Sequence, residues 1–124
     1  MEDQWSLKKN LLVIDEQCLV LNLKDKGLCI ITGCYHTGVV NACQYAMQLT
    51  NCHDIYLLMG GFHLAGLNFE DRIDSTISDL SAMNPDYWVL GHCTGMQAQI
   101  SLQNAFGDRH IPYSVGTTFK FATR

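Results

Sequence analysis

Three segments of the sequence share a pattern in which an apolar run is followed by glycine and then by histidine. They are Ile31-Thr32-Gly33-Cys34-Tyr35-His36, Leu58-Met59-Gly60-Gly61-Phe62-His63 and Val89-Leu90-Gly91-His92. Glycine lets the backbone turn sharply where a strand ends. If the three runs are parallel strands of one sheet, three neutral imidazoles can converge on a cation at one edge. The pattern therefore predicts a metal or catalytic site formed by His36, His63 and His92.

The other titratable residues fit this pattern less well. A single histidine after a strand is more often a surface or hydrogen-bonded residue, so the prediction depends on three equivalent positions. His53 lies in a connecting loop and His110 follows Gly107-Asp108-Arg109, and both are interpreted as solvated. Four acidic residues are also interpreted as solvated charges: Asp15, Glu16, Asp74 and Asp79.

Two cysteines flank the histidines. Cys34 and Cys93 leave open a Cys/His zinc site or a cysteine nucleophile paired with histidine. If the backbone stays extended, adjacent residues such as His92 and Cys93 point to opposite faces, which disfavours a four-ligand Cys2His2 set. We interpret both cysteines as small packing residues.

Thr94 and Gly95 begin a predicted helix. Free backbone N–H groups and the positive end of the helix dipole could bind a phosphate or carboxylate there. Every helix has such an end, and simple capping of the helix by Thr94 is the plainer interpretation.

Strands and helices alternate along the chain. Hydrophobic periodicity and turn residues predict strands over 17–23, 28–32, 54–59 and 87–90, and helices from 39 to 49, after Asn68 to 83, and after Thr94 to 106. The first two strands form a hairpin, and two closing strands are expected over 111–115 and 117–121. The order predicts an α/β layer architecture with a mainly parallel sheet.

Composition excludes several classes of protein. The 124 residues are 48% hydrophobic and 16% charged, with a net charge of −4, so one folded domain is expected and a nucleic-acid binder is not. The sequence shows neither a membrane-spanning run nor a signal peptide, and the expected location is cytoplasmic. The six cysteines lie in apolar periodic segments and are interpreted as free thiols.

Several motifs resemble those of a known family. They are Asp15-Glu16-Gln17-Cys18-Leu19-Val20, Lys26-Gly27-Leu28, Thr32-Gly33-Cys34-Tyr35-His36-Thr37-Gly38-Val39-Val40-Asn41, Gly60-Gly61-Phe62-His63-Leu64 and Gly91-His92-Cys93-Thr94-Gly95. From about residue 15 onward the chain resembles the C-terminal half of a metallo-β-lactamase-fold hydrolase, in the dihydropterin/ribofuranosylaminobenzene-phosphate synthase-like branch. Residues 1–14 are then an N-terminal lead.

The resemblance implies half of an αββα sandwich, a mixed sheet with helices on one face. It implies that His36 and His92 are metal ligands, that His63 replaces the usual bridging aspartate, and that Thr94 and Gly95 lie beside the substrate. The implied cofactor is a divalent metal, with zinc expected first and iron or manganese as alternatives. The implied substrate is a phosphate-bearing small molecule.

One motif of the family is missing. The string H-x-H-x-D-H, which supplies most ligands of the first metal, does not occur in this sequence. A half-sandwich also leaves an apolar sheet face, so a homo-oligomer or a partner chain carrying the other half is expected.

Three functions therefore remain open. The first is a metal-dependent hydrolase that attacks a phosphoester or similar bond with activated water, once a partner or second copy completes it. The second is a non-catalytic module with a vestigial metal or anion pocket. The third is a thiol enzyme, which requires an exposed Cys34 or Cys93 of low pKa.

Overall fold

A computed structural model describes residues 16–66, 70–91 and 93–121 of the chain, so the predicted lead over 1–14 lies outside the described residues. These residues form four strands and three α-helices: β1 (Cys18–Leu23), β2 (Gly27–Thr32), α1 (Val39–Thr50), β3 (Ile55–Gly60), α2 (Ile73–Met83), β4 (Tyr87–Leu90) and α3 (Met96–Phe106). Each of the first four strands and three helices predicted from the sequence has its counterpart.

The sheet is mixed. Its strand order is β1-β2-β3-β4, with β1 antiparallel to β2 and the two other pairs parallel. The β1–β2 hairpin closes where the N–H of Lys26 donates to the carbonyl of Leu23 over 3.1 Å, with Asp25 in the left-handed region at φ 61°. The prediction of an α/β fold with a mainly parallel sheet is confirmed.

All three helices pack on one face of this sheet. Their apolar side chains and those of β2, β3 and β4 form one buried cluster, in which Ile30, Leu58 and Trp88 come from the strands. Burying this apolar area is the main stabilising contribution expected of such a layer. α2 ends at Met83, as the sequence predicted, and is followed by Asn84 in the left-handed conformation and by buried Pro85.

The opposite sheet face is covered only in part. Cys29, Leu57 and Val89 are buried there beneath Ile111 and Phe119 of the C-terminal segment. The alternation along β1 places Leu19 and Leu21 on the same face, where they are 54% and 42% exposed. The β1 side of the face is therefore apolar and open to solvent.

The prediction of two closing strands over 111–115 and 117–121 is wrong, because neither segment forms a strand. Backbone pairing of this segment with β4 is limited to a bridge between His110 and Trp88 and a 2.7 Å hydrogen bond from Ile111 to Trp88. Residues 112–118 are exposed, and a turn at Ser114–Thr117 reverses the chain. The apolar alternation reflects two side chains packing on the sheet, without a further ladder of hydrogen bonds.

Among the residues that the structure describes, no helix has the length and apolarity that crossing a bilayer requires.

Candidate metal site at the sheet edge

The carboxyl ends of β2, β3 and β4 lie side by side. Their parallel pairing places Thr32, Gly60 and Leu90 along one edge of the sheet. Ligands of α/β sheets gather at such edges. The predicted meeting of three strand ends is therefore present, and each strand leads directly into its predicted loop.

Backbone contacts hold the first two loops together. The hydroxyl of Thr32 donates a hydrogen bond that is shared between two carbonyl oxygens, that of Met59 at 3.2 Å and that of Gly61 at 3.0 Å. The N–H of Gly61 donates to the carbonyl of Gly33 over 2.8 Å. Gly60 has a φ of +124°, and a Cβ there would overlap the carbonyl oxygen of Thr32. Close approach of the two strand ends therefore requires glycine at position 60.

His36 and His63 meet at this edge. Their ring centroids lie 4.3 Å apart with an interplanar angle of 64°. Tyr35 and His63 adopt left-handed φ angles of 53° and 49°. Such backbone is uncommon for non-glycine residues and persists where the surrounding structure imposes it. His92, the third predicted ligand, lies outside the described residues.

Glu16 also belongs to this site, so its interpretation as a solvated charge is wrong. Its carboxylate lies 2.6 Å from Nδ1 of His36 and also accepts the backbone N–H of His36. It accepts two further hydrogen bonds from Thr37, from the backbone N–H over 2.9 Å and from the hydroxyl over 2.8 Å. Antiparallel pairing of Cys18 with Thr32 brings the start of β1 beside the end of β2. The predicted hairpin of β1 and β2 was the signal that could have placed Glu16 here.

Burial, hydrogen bonds and neighbouring charges shift the pKa values of Glu16 and His63. Burial raises the pKa of Glu16, but the hydrogen bonds from Thr37 and His36 outweigh it, and the net pKa is below the ordinary value. Burial lowers the pKa of His63, and the charges of His36 and Arg72 act in the same direction, against an opposing effect of Glu16. His63 is therefore neutral near pH 7, which is the form that binds metals.

A cavity of about 250 Å³ opens over the two histidines. Phe62 and Leu64 form apolar parts of its wall. Two charged residues also line it: Arg72, in the turn before α2, and Asp79, in α2. Asp79 is exposed, as predicted, although it borders this cavity. A larger cavity, about 610 Å³, lies at the opposite end of the sheet, near the β1–β2 turn, with side chains of both charges and neither histidine.

The hydroxyl of Thr94 bonds to the backbone of two loops and does not cap the helix that follows it. It is completely buried, accepts the N–H of Phe62 over 3.1 Å and donates to the carbonyl of Gly91 over 2.8 Å. The N-cap of α3 is Gly95, with no side-chain capping bond, so capping by Thr94 is wrong. Anion binding at Thr94 and Gly95 stays a prediction.

The cysteines at this edge lie close to each other. The thiol of Cys93 donates to the carbonyl oxygen of Cys34 over 3.3 Å, and both residues are half-buried. Burial raises the pKa of Cys93 to about 11, which is opposite to the shift that a nucleophilic cysteine needs.

The two remaining histidines lie elsewhere. His53 is exposed in the loop before β3, as predicted. His110 is half-buried, its Nδ1 contacts the side-chain oxygen of Gln103, and burial lowers its pKa. Its interpretation as a solvated residue is therefore wrong.

Comparisons with known proteins agree with this geometry. No protein-family model matches the chain. It is 30% identical over 108 residues to the 7,8-dihydropterin-6-methyl-4-(beta-D-ribofuranosyl)-aminobenzene-5'-phosphate synthase of Methanocaldococcus jannaschii, and 33% identical over 121 residues to the uncharacterized protein MJ0448 of that organism. Its structure matches the crystal structure of Tm1679, a metal-dependent hydrolase of the β-lactamase superfamily, with a TM-score of 0.78 and 28% identity. The chain is a partial metallo-β-lactamase-like domain.

This partial metallo-β-lactamase-like domain spans less than half of each relative. The sequence matches cover 87% and 94% of the chain but 36% and 44% of the two curated proteins. The structural match covers 86% of the chain and 41% of the solved structure. The resemblance seen in the sequence and the expectation of half a sandwich are both confirmed.

The ligand set of the partial domain is incomplete in its described part. Across residues 16–66, 70–91 and 93–121, no group of three or more histidine, cysteine or acidic side chains is arranged to hold a metal ion. Glu16, His36 and His63 supply two imidazoles and a carboxylate that contacts one of them. This donor set fits part of a metal centre and needs further ligands from outside the described residues.

Proposed function

We propose that this chain supplies part of the active site of a divalent-metal-dependent hydrolase that acts on a phosphoester or similar bond. The observation that carries the proposal is the meeting of His36 and His63, whose ring centroids are 4.3 Å apart at the ends of adjacent parallel strands. Two imidazoles from separate loops at the carboxyl edge of a sheet suit a cation better than they suit packing.

The chemistry of the donor set supports zinc first and iron or manganese as alternatives. Imidazole nitrogen is a common ligand of zinc and iron. Ligating histidines usually donate their second ring N–H to a carboxylate or carbonyl, which fixes the tautomer and orients the ring. Glu16 occupies that position beside Nδ1 of His36. In the proposal, His92 provides a third imidazole.

A bound divalent cation would lower the pKa of water toward neutrality and polarise a phosphoryl or carbonyl oxygen. Glu16 keeps the proton of His36 on Nδ1, which leaves the Nε2 lone pair for ligation. Arg72 lines the cavity, and its positive charge contributes to lowering the pKa of His63. It is therefore placed to attract an anionic substrate. Phe62 and Leu64 exclude water from the inner wall.

A second copy of the chain or a partner chain completes the site in this proposal. Leu19 and Leu21 are exposed on the sheet face opposite the helices, next to half-buried Ile31 and Met59. An apolar face of this kind favours contact with another layer. We propose a second copy as the first candidate, with a chain that carries the missing half as the alternative.

Metal content and hydrolysis test the proposal. Protein purified without added metal is applied to a sizing column, and the metal in each peak is measured by elemental analysis. We expect about one divalent ion per chain, and hydrolysis of bis(p-nitrophenyl) phosphate that EDTA removes and the same metal restores. A folded protein that neither retains nor takes up zinc, iron or manganese contradicts the proposal.

The same experiment separates the alternative function. The H-x-H-x-D-H motif does not occur in the sequence, which favours a non-catalytic module with a vestigial pocket. Metal uptake without hydrolysis of phosphodiester or phosphomonoester probes, in every oligomeric state, supports that module and contradicts a hydrolase completed by a second copy.

Replacing Glu16 by glutamine should weaken metal binding. The amide keeps an oxygen for the N–H groups of His36 and Thr37 but removes the negative charge beside Nδ1. Loss of such a partner costs about 10–100-fold in metal affinity. Competition of zinc against a chromogenic chelator measures the change, with Asp74→Asn on the exposed face of α2 as the matched control. Equal affinities in the two variants would show that Glu16 does not support a ligand.

A further inference from the structure

We propose that Cys34 and Cys93 form a redox-active dithiol that closes to a disulfide in the presence of a small disulfide oxidant. The observation behind this proposal is their proximity across 59 residues of chain, with the Cys93 thiol 3.3 Å from the carbonyl oxygen of Cys34. The proposal does not depend on metal binding or hydrolysis.

Both loops are fixed to the sheet next to the cysteines. Gly33, directly before Cys34, accepts the N–H of Gly61 over 2.8 Å. Cys93 lies in a turn in which the N–H of Thr94 donates to Gly91 over 3.1 Å. The buried hydroxyl of Thr94 holds that turn to Phe62. The fold therefore fixes the positions of both loops that carry Cys34 and Cys93.

The pair is more exposed than the two buried cysteines. Cys34 and Cys93 are half-buried, as are Cys18 and Cys52, whereas Cys29 and Cys43 are buried on the two faces of the sheet. An oxidant in solution can therefore reach the pair. A disulfide would join the loop after β2 to the loop after β4, across the end of β3.

The reaction balances as a thiol–disulfide exchange. One cysteine sulfur attacks oxidised glutathione, so that its S–H bond and the glutathione S–S bond break while a mixed disulfide forms and one reduced glutathione leaves. The second cysteine sulfur then attacks the protein sulfur, which forms the Cys34–Cys93 bond and releases the second glutathione. The two cysteines are oxidised, and glutathione disulfide takes up the two electrons and two protons. Burial raises the pKa of Cys93, so the exchange is followed over hours.

The test is the position of the new bond. The reduced chain is incubated with oxidised glutathione in the presence of EDTA, which keeps metals from the thiols. We expect four of the six cysteines to remain titratable, and a mass loss of about 2 Da for the two hydrogens. Trypsin should release segment 27–72 joined to segment 73–109, in which Cys93 is the single cysteine, and fragmentation should place the bond at Cys34. The oxidised chain should also melt more than about 5 °C higher, because the bond closes a long loop.

Variants provide the controls. Cys34→Ser and Cys93→Ser should each abolish the linked peptide, whereas Cys52→Ser, at another half-buried cysteine, should leave it unchanged. The peptide map of the natural sequence is informative even if one of the first two variants fails to fold. Six titratable thiols after prolonged exposure, or a bond from Cys93 to Cys29, Cys43 or Cys52, would overturn the proposal.

Discussion

The double variant His36→Ala/His63→Asn should bind zinc or manganese more than about 100-fold more weakly than the natural sequence, because losing even a ligand's hydrogen-bond partner costs about 10–100-fold. It removes both imidazoles that the structure brings together at the sheet edge. Asparagine is chosen at position 63 because its side chain tolerates the left-handed backbone, φ 49°, better than alanine does. Isothermal titration with each metal measures the affinity, and the phosphodiester assay should lose its metal-dependent rate.

The matched control is His53→Ala, which removes an exposed imidazole from the loop before β3. It should bind metal as the natural sequence does. Circular dichroism and thermal unfolding establish that the double variant retains the fold. A folded double variant with unchanged affinity would place the metal elsewhere, and His36 and His63 would then be a packing pair.

The sequence predicted the frame of this site because the frame depends on local patterns. Three apolar runs, each followed by glycine, predicted parallel strands with their ends at one edge, and the structure has them there. The proximity of His36 and His63 follows from that topology. The family resemblance added the expectation of half a sandwich, which the comparison with the solved structure confirms.

The errors have a common physical origin in contacts between distant segments. Glu16 was interpreted as solvated because nothing near it in the sequence shows that Thr37 and His36 donate to its carboxylate. Thr94 was expected to cap α3, but its hydroxyl holds the loop after β3. The apolar alternation after His110 looked like two strands, yet the segment packs on the sheet through Ile111 and Phe119 while residues 112–118 are exposed. Residue propensities predict the backbone conformation of a segment. These contacts depend instead on which distant residues the fold brings next to that segment.

Replacing Gly60 by alanine should destabilise the protein by about 2–6 kcal/mol, since left-handed strain and overpacking each cost about 1–3 kcal/mol. The residue has a φ of +124°, and a Cβ there would overlap both the carbonyl oxygen and the hydroxyl of Thr32. The carbonyl belongs to the backbone of β2 and cannot rotate away. Urea unfolding followed by tryptophan fluorescence gives the change in the free energy of unfolding.

Two further glycines separate strain from overlap. Gly116→Ala meets no neighbour within 4 Å but has a φ of +91°, so it should show the cost of strain alone, about 1–3 kcal/mol. Gly33→Ala has neither feature and should lie within about 0.5 kcal/mol of the natural sequence. If Gly60→Ala unfolds at the same urea concentration as Gly33→Ala, the strand ends do not require close approach. If it unfolds at a lower urea concentration than Gly116→Ala or fails to fold, the contact between Gly60 and Thr32 sets the distance between the loops that carry His36 and His63.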